Sequence, residues 1–152
     1  MNHSRSPRLR LLGRVAGLVI YLVDGEKVRD VIDIDFTMGG NEARYSYVPP
    51  GEIWIDNAEH VLDRTATALH ELVERDLMLH HGMSYDSAHD AANARERAFR
   101  QDLERRRPSR FDARRVGEAY RIYFREKPIR KRSRQLDSEI AAALARPDRS
   151  TS

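Results

Sequence analysis

A chain of 152 residues is long enough for one ordinary core, and 40% hydrophobic against 34% charged residues describes a soluble class with a modest interior. The absence of cysteine excludes disulfides, thiol catalysis and thiolate metal ligands, so a metal site has to draw on His, Asp or Glu; it also fits a cytoplasmic location. The net charge of +3 conceals a segregation: residues 56–90 carry eight acidic groups against Arg64 and Arg75, net −6, whereas residues 110–134 carry ten basic groups against Asp112, Glu118 and Glu126, net +7.

In chain order, residues 1–8 read as a disordered basic tail, and one α+β domain is expected over 9–126. The apolar run VAGLVIYLV, 15–23, is too short for a bilayer helix, which needs about 20 residues, and it is bounded by Arg14 and Asp24. No membrane span is expected. The runs 9–23 and 27–36 flank Asp24-Gly25, a pair suited to a hairpin turn, and predict two antiparallel strands. Ile32, Ile34 and Phe36 share parity and imply a buried face. After a Met38-Gly39-Gly40-Asn41 loop, ARYSYV and EIWID around Pro49-Pro50-Gly51 predict a second hairpin. The result is an N-terminal antiparallel sheet of about four strands.

Helices follow. Asp56-Asn57 is a plausible N-cap for a helix over 58–81 with an apolar stripe including Leu69, Leu72, Val73 and Leu77, ended by Gly82. Ser84 or Asp86 can cap a second helix to about residue 107, whose apolar positions are mostly alanine and permit close approach. These two form an antiparallel hairpin. A third helix spans 112–126, and residues 127–152 read as a basic linker, a short helix carrying Leu136, Ile140 and Leu144, and a tail. Strands followed by helices define an α+β fold.

The segment 68–96 holds four of the six histidines. His70 and Glu74 are four apart and share a helix face; Glu71 is one helical step, about 100°, away. Folding the second helix back at Gly82 brings Glu96 level with His70, while His89, Asn93 and Glu96 share a face. His70, Glu74, His89 and Glu96 can therefore converge between the helices. Zinc accepts imidazole and carboxylate, usually three protein ligands in a catalytic site, and Mn2+ or Fe2+ tolerates carboxylate as well. In that scheme His70, Glu74 and His89 are ligands and Glu71 is the general base. Glu96 is either a further ligand or the partner of a ligand's second ring nitrogen. Tyr85, Asn93 and His81 are additional candidates. Each of these residues also fits a structural role alone, as helix-surface charge or as packing, and it is their combination that points to a divalent-metal site.

The same stretch resembles zincin metallopeptidases of the gluzincin type, in which a helix bearing H-E-x-x-H follows an edge strand and the third ligand comes from the next helix. His70 and Glu71 match the first ligand and the base, Glu74 stands where the second histidine does, and EIWID resembles the edge strand that aligns an extended peptide. It is also similar to phage and bacterial proteins with H-E-x-x-E followed by G-x-x-Y-x-x-A-H, here His70, Glu71, Glu74, Gly82, Tyr85, Ala88 and His89. The resemblance implies a metal-dependent hydrolase with a peptide or protein substrate.

Two other readings stand beside it. One is a zincin-like fold without metal. The other is a non-catalytic binding protein whose basic C-terminal segment, Arg121, Arg125, Lys127, Arg130, Lys131 and Arg132, interleaved upstream with Tyr120, Tyr123 and Phe124, contacts nucleic acid or an acidic partner. The sequence contains no Walker loop, dinucleotide glycine pattern or Gly-x-Ser-x-Gly elbow.

Overall fold

The computed structural model describes residues 6–126. The short C-terminal helix and the cations from Lys127 onward lie outside the described residues. The elements run β1 (Arg8–Val15), β2 (Leu18–Val23), α1 (Gly25–Val31), β3 (Gly39–Asn41), β4 (Glu52–Asp56), α2 (Val61–His81), α3 (Tyr85–Arg105) and α4 (Ala113–Glu126). This is an α+β fold with four strands in the order β1-β2-β4-β3. The sheet is mixed, not wholly antiparallel: β1–β2 and β3–β4 are antiparallel, but β2 and β4 run parallel, Val19 opposite Glu52 and Val23 opposite Asp56.

Two turn assignments change, each for a local reason. The first hairpin turns at Ala16-Gly17, both at positive φ (52° and 79°), inside the run expected to be one strand. Asp24 does not turn a hairpin. Its carboxylate accepts from the Lys27 amide at 3.1 Å and caps α1, because aspartate suits an N-cap as well as a turn. Residues 27–36 are consequently helix and loop, and Ile34 is 78% exposed instead of core; of the expected face only Phe36 is buried. The tail boundary also shifts, since Arg8 opens β1 and forms an ion pair with Glu52.

Residues 42–51 form turns in place of the ARYSYV strand. Tyr45 and Tyr47 stack at 5.0 Å and pack with Phe36, Val48 and Trp54 over one face of the sheet. Strand alternation sorts the rest: Leu18, Ile20, Leu22, Ile53 and Ile55 face the helices, while Val23 and Trp54 face the aromatic cluster. Leu69, Leu72, Val73 and Leu77 of α2 fill the helical side, each contributing about 1.5–3 kcal/mol by burial.

The α2–α3 hairpin forms as expected at Gly82, left-handed at φ 63°, and Ser84 caps α3 by accepting from the Ser87 amide. Fully buried Ala88 and Ala92 let the helices approach closely. Helix α2 begins at Val61, three residues later than expected, because Asp56 is used otherwise. It accepts from the Ala58 amide and from the Arg29 guanidinium, closing the β4–α2 turn.

The edge strand beside the site is β3, not EIWID. β4 lies inside the sheet, between β2 and β3. Gly39 makes this possible: a Cβ there would meet the Trp54 carbonyl at 2.8 Å and Thr67 Cγ2 at 2.9 Å, so only glycine lets β3 lie so close to α2.

Candidate metal centre

Helix α2 is buried almost all round through its middle, and that forces its polar residues into partnership. His70, Glu71, Glu74 and Asp76 are each less than a tenth exposed. A buried charge without a partner costs several kcal/mol, so these side chains bond to one another and to neighbouring elements.

Helical spacing places His70 and Glu74 one above the other, and the hairpin brings His89 against them. Glu74 Oε2 lies 3.1 Å from His70 Nε2 and 2.9 Å from His89 Nδ1, and the two nitrogens are 3.2 Å apart. On the far side of the His70 ring, Nδ1 is 2.9 Å from Glu96 Oε1, an ionic contact lying off the direction of the ring N–H. Glu96 in turn accepts from Arg100 Nε at 2.7 Å, and Arg100 donates to Asp63 at 2.6 Å. Glu96 contacts the His70 ring nitrogen that faces away from the trio and stands outside the group of three, where its charge favours the protonated ring.

From the opposite side, Asn41 at the end of β3 is fully buried. Its side-chain amide donates to Glu71 Oε1 at 2.8 Å and to Glu74 Oε1 at 3.1 Å. The Asn41 side-chain oxygen accepts from the Ala43 and Arg44 amides, which orients that amide group. Glu71 and Glu74, three residues apart and so about 60° from each other around α2, are thus tied to one donor.

The electrostatics follow the burial. Desolvation pushes Glu71 up to about 8, with the Glu74 charge adding to it. Burial also disfavours a charged His70, but Glu74 and Glu96 outweigh it and raise the imidazolium to about 10. Glu74 is held below the usual carboxylate range, because His70 and His89 overcome the opposing effect of its burial. His70 and His89 therefore compete for one carboxylate oxygen. If both donate to Glu74 Oε2, their two N–H groups face each other across 3.2 Å.

A single cation resolves that conflict, since all three atoms then present lone pairs to it. Ligand atoms of a tetrahedral zinc stand about 3.4 Å apart, given bonds near 2.0–2.2 Å. The observed separations of 2.9, 3.1 and 3.2 Å lie just inside that spacing. His70, Glu74 and His89 can hold a metal ion.

The trio opens on a cleft of about 210 Å³ to which Glu71, Asn93, Glu96 and Tyr85 also contribute. His89 sits at its mouth with a side chain 38% exposed. The Tyr85 hydroxyl is 3.4 Å from His89 Nδ1, and the Arg44 guanidinium lies 4.0 Å over the Tyr85 ring. Met38 and Gly39 bring the β3 edge to the same cleft. His81 does not join: it lies 3.6 Å from Asp76 and outside the cleft, because eleven residues of helix carry it about 16 Å along the axis. Arg121 and Arg125 are exposed on α4.

Asn41 and Arg44 are not among the residues the sequence singles out. The available signal was Gly39-Gly40 ahead of a polar residue, a pattern that permits close backbone approach. Among the described residues, no helix is long and apolar enough to cross a membrane. Comparison with protein-family models, curated proteins and solved structures gives no match.

Proposed function

We propose that the chain is a divalent-metal-dependent hydrolase acting on peptide bonds, with His70, Glu74 and His89 as ligands of zinc. The observation that carries this reading is the convergence of His70 Nε2, Glu74 Oε2 and His89 Nδ1 within 3.2 Å of one another at the wall of an open cleft. A zinc ion in that position supplies Lewis acidity toward a bound carbonyl. The rest of the work falls to the chain. Glu71 lines the cleft one residue from His70, and burial favours its neutral form in the metal-free site; a bound cation would favour the carboxylate, which takes a proton from the attacking water and returns it to the leaving amine. Asn41 positions Glu71, and Glu96 holds the His70 ring. The exposed chain just ahead of β3, at Thr37 and Met38, lines the cleft and lies against an extended substrate segment. Tyr85 and Arg44 lie where they can donate to the substrate's carbonyl oxygens.

The resemblance of the H-E-x-x-E helix to zincins supports the substrate class, as does an antiparallel edge strand next to the site helix. A fluorogenic peptide library incubated with zinc-loaded protein tests the proposal. Cleavage is expected, abolished by chelator and restored by metal. In Glu71→Gln it is expected to fall by about 10²–10⁴-fold with the ion retained. Absence of cleavage across the library by metal-loaded wild type, or full activity in Glu71→Gln, contradicts it.

A further inference from the structure

Far from the cleft, at the opposite edge of the sheet, β1 borders a concavity of about 1080 Å³ walled by the start of α2 and the α3–α4 connection. A second hollow of about 660 Å³ between β1 and α4 shares Ala113, Arg114 and Glu118 with it, so the two form one continuous track. Arg10, Arg14, Arg106, Arg110, Arg114 and Arg121 line this track. All six are exposed, and among the described residues none has an acidic group within ion-pair distance. Neighbouring arginines behave differently. Arg64 donates to backbone carbonyls, Arg107 pairs with Glu104, and Arg115 is buried against Asp102. Among the described residues, the fold therefore pairs some arginines of this region and leaves six without an acidic partner.

Like charges gathered without partners repel one another, and a polyanion laid along them relieves that repulsion while releasing its own counterions. Three features select the polyanion. The free cations are all guanidinium, whose planar fork matches phosphate oxygens two at a time. They follow a track running over two hollows, which suits a repeating chain of charges better than one anion. The larger hollow, although Leu12, Val61 and Phe111 reach it, presents a mainly polar surface, unlike the apolar centre of a protein interface.

We infer that the β1–α4 face binds the phosphate backbone of nucleic acid through Arg10, Arg14, Arg106, Arg110, Arg114 and Arg121. The surface draws on three separated sequence segments, which is why it differs from the C-terminal segment expected from the sequence. It is independent of the metal centre, and its contacts are to backbone, so binding is sequence-tolerant and strongly salt-dependent.

The test is fluorescence anisotropy of labelled 20-nucleotide single-stranded and duplex probes with the full chain, in chelator, across a salt series. Wild type is expected to bind at least one of them. Arg106→Glu/Arg110→Glu/Arg114→Glu should weaken binding at least tenfold and flatten the salt dependence. Arg110→Gln/Arg114→Gln should show a smaller loss in the same direction and serves if the triple variant does not fold. A Lys127→Ala/Arg130→Ala/Lys131→Ala/Arg132→Ala variant should lose less than the triple. Three results overturn the inference: no binding of either probe at low salt, unchanged affinity in both arginine variants, or equal affinity for poly-glutamate or phosphatidylserine vesicles. Because chelator is present throughout, failure here leaves the hydrolase reading untouched, and the reverse also holds.

Discussion

At the β3 edge of the sheet, His70, Glu71 and Glu74 are buried, with Glu74 bonded to His70 and His89 and both glutamates bonded to Asn41; at the β1 edge, six arginines are exposed and, among the described residues, bond to no carboxylate. Both regions are rich in charge, yet they obey different constraints. In the cleft each group's protonation depends on its neighbours, and removing one leaves another buried and unpaired. Along the track each guanidinium keeps its own hydration and can be removed with little effect on the fold. Ligand binding should then be cooperative in composition at the cleft and additive along the track.

The largest stability effect that would sharpen this contrast is at Asn41. Asn41→Leu keeps the branched shape, at some cost in added bulk, but removes the donor shared by Glu71 and Glu74. The metal-free protein is expected to lose about 1–3 kcal/mol, read as a fall in Tm of roughly 2–4 °C per kcal/mol. An unchanged Tm would mean that the two carboxylates are not held as described. Next comes a pair of adjacent arginines. Arg115 donates to the Arg106 carbonyl at 2.6 Å and to the Asp102 carboxylate at 3.0 Å, so Arg115→Ala should cost about 2 kcal/mol. Arg114→Ala, on the track, should stay within about 0.5 kcal/mol. Equal costs would break the distinction between structural and free arginines.

The pH dependence of stability has a definite sign. The folded pKa values of Glu71 and His70 are raised, to about 8 and about 10, so each favours folding while protonated. That stability is fully present below their unfolded values, near 4.5 and 6.5, and is lost as pH rises through about 8 and then about 10. Glu74, with a lowered value, contributes above its unfolded pKa and loses that contribution on acidification. Denaturant melts of metal-free protein should show stability falling between pH 6 and 10, while zinc affinity rises over the same interval as His70 gives up its proton. A profile in His70→Ala that is shallower than in wild type would assign the corresponding part of the effect to His70.

The sequence discloses the trio and its helical neighbours Glu71, Tyr85, Asn93 and Glu96, but not what the chain around β3 contributes, and the reason is geometric. His70, Glu74 and His89 lie on two long helices joined at Gly82, where a period of 3.6 and a fixed rise translate spacing into position. Asn41 and Arg44 come from a three-residue strand and the turn after it, whose placement depends on sheet order. That order was hidden, because β4 pairs in parallel with β2 and β3 takes the edge. The strands themselves were half legible. Alternation identified EIWID, but Asp24-Gly25 satisfied both a turn and a helix cap, and only the chain's packing chose the cap. The arginine track was legible as composition alone, since Arg10 and Arg14 reach α4 only once β1 is in place.

The central claim is that His70, Glu74 and His89 form a metal centre. Elemental analysis of untagged protein, purified after zinc loading and desalting, tests it most directly. The account predicts one ion per chain in wild type, with affinity lower by at least about 100-fold in His70→Ala and in His89→Ala, more than loss of an outer partner such as Glu96 would cause. Wild type that retains no ion, or an equal ion content in all three proteins, would contradict it.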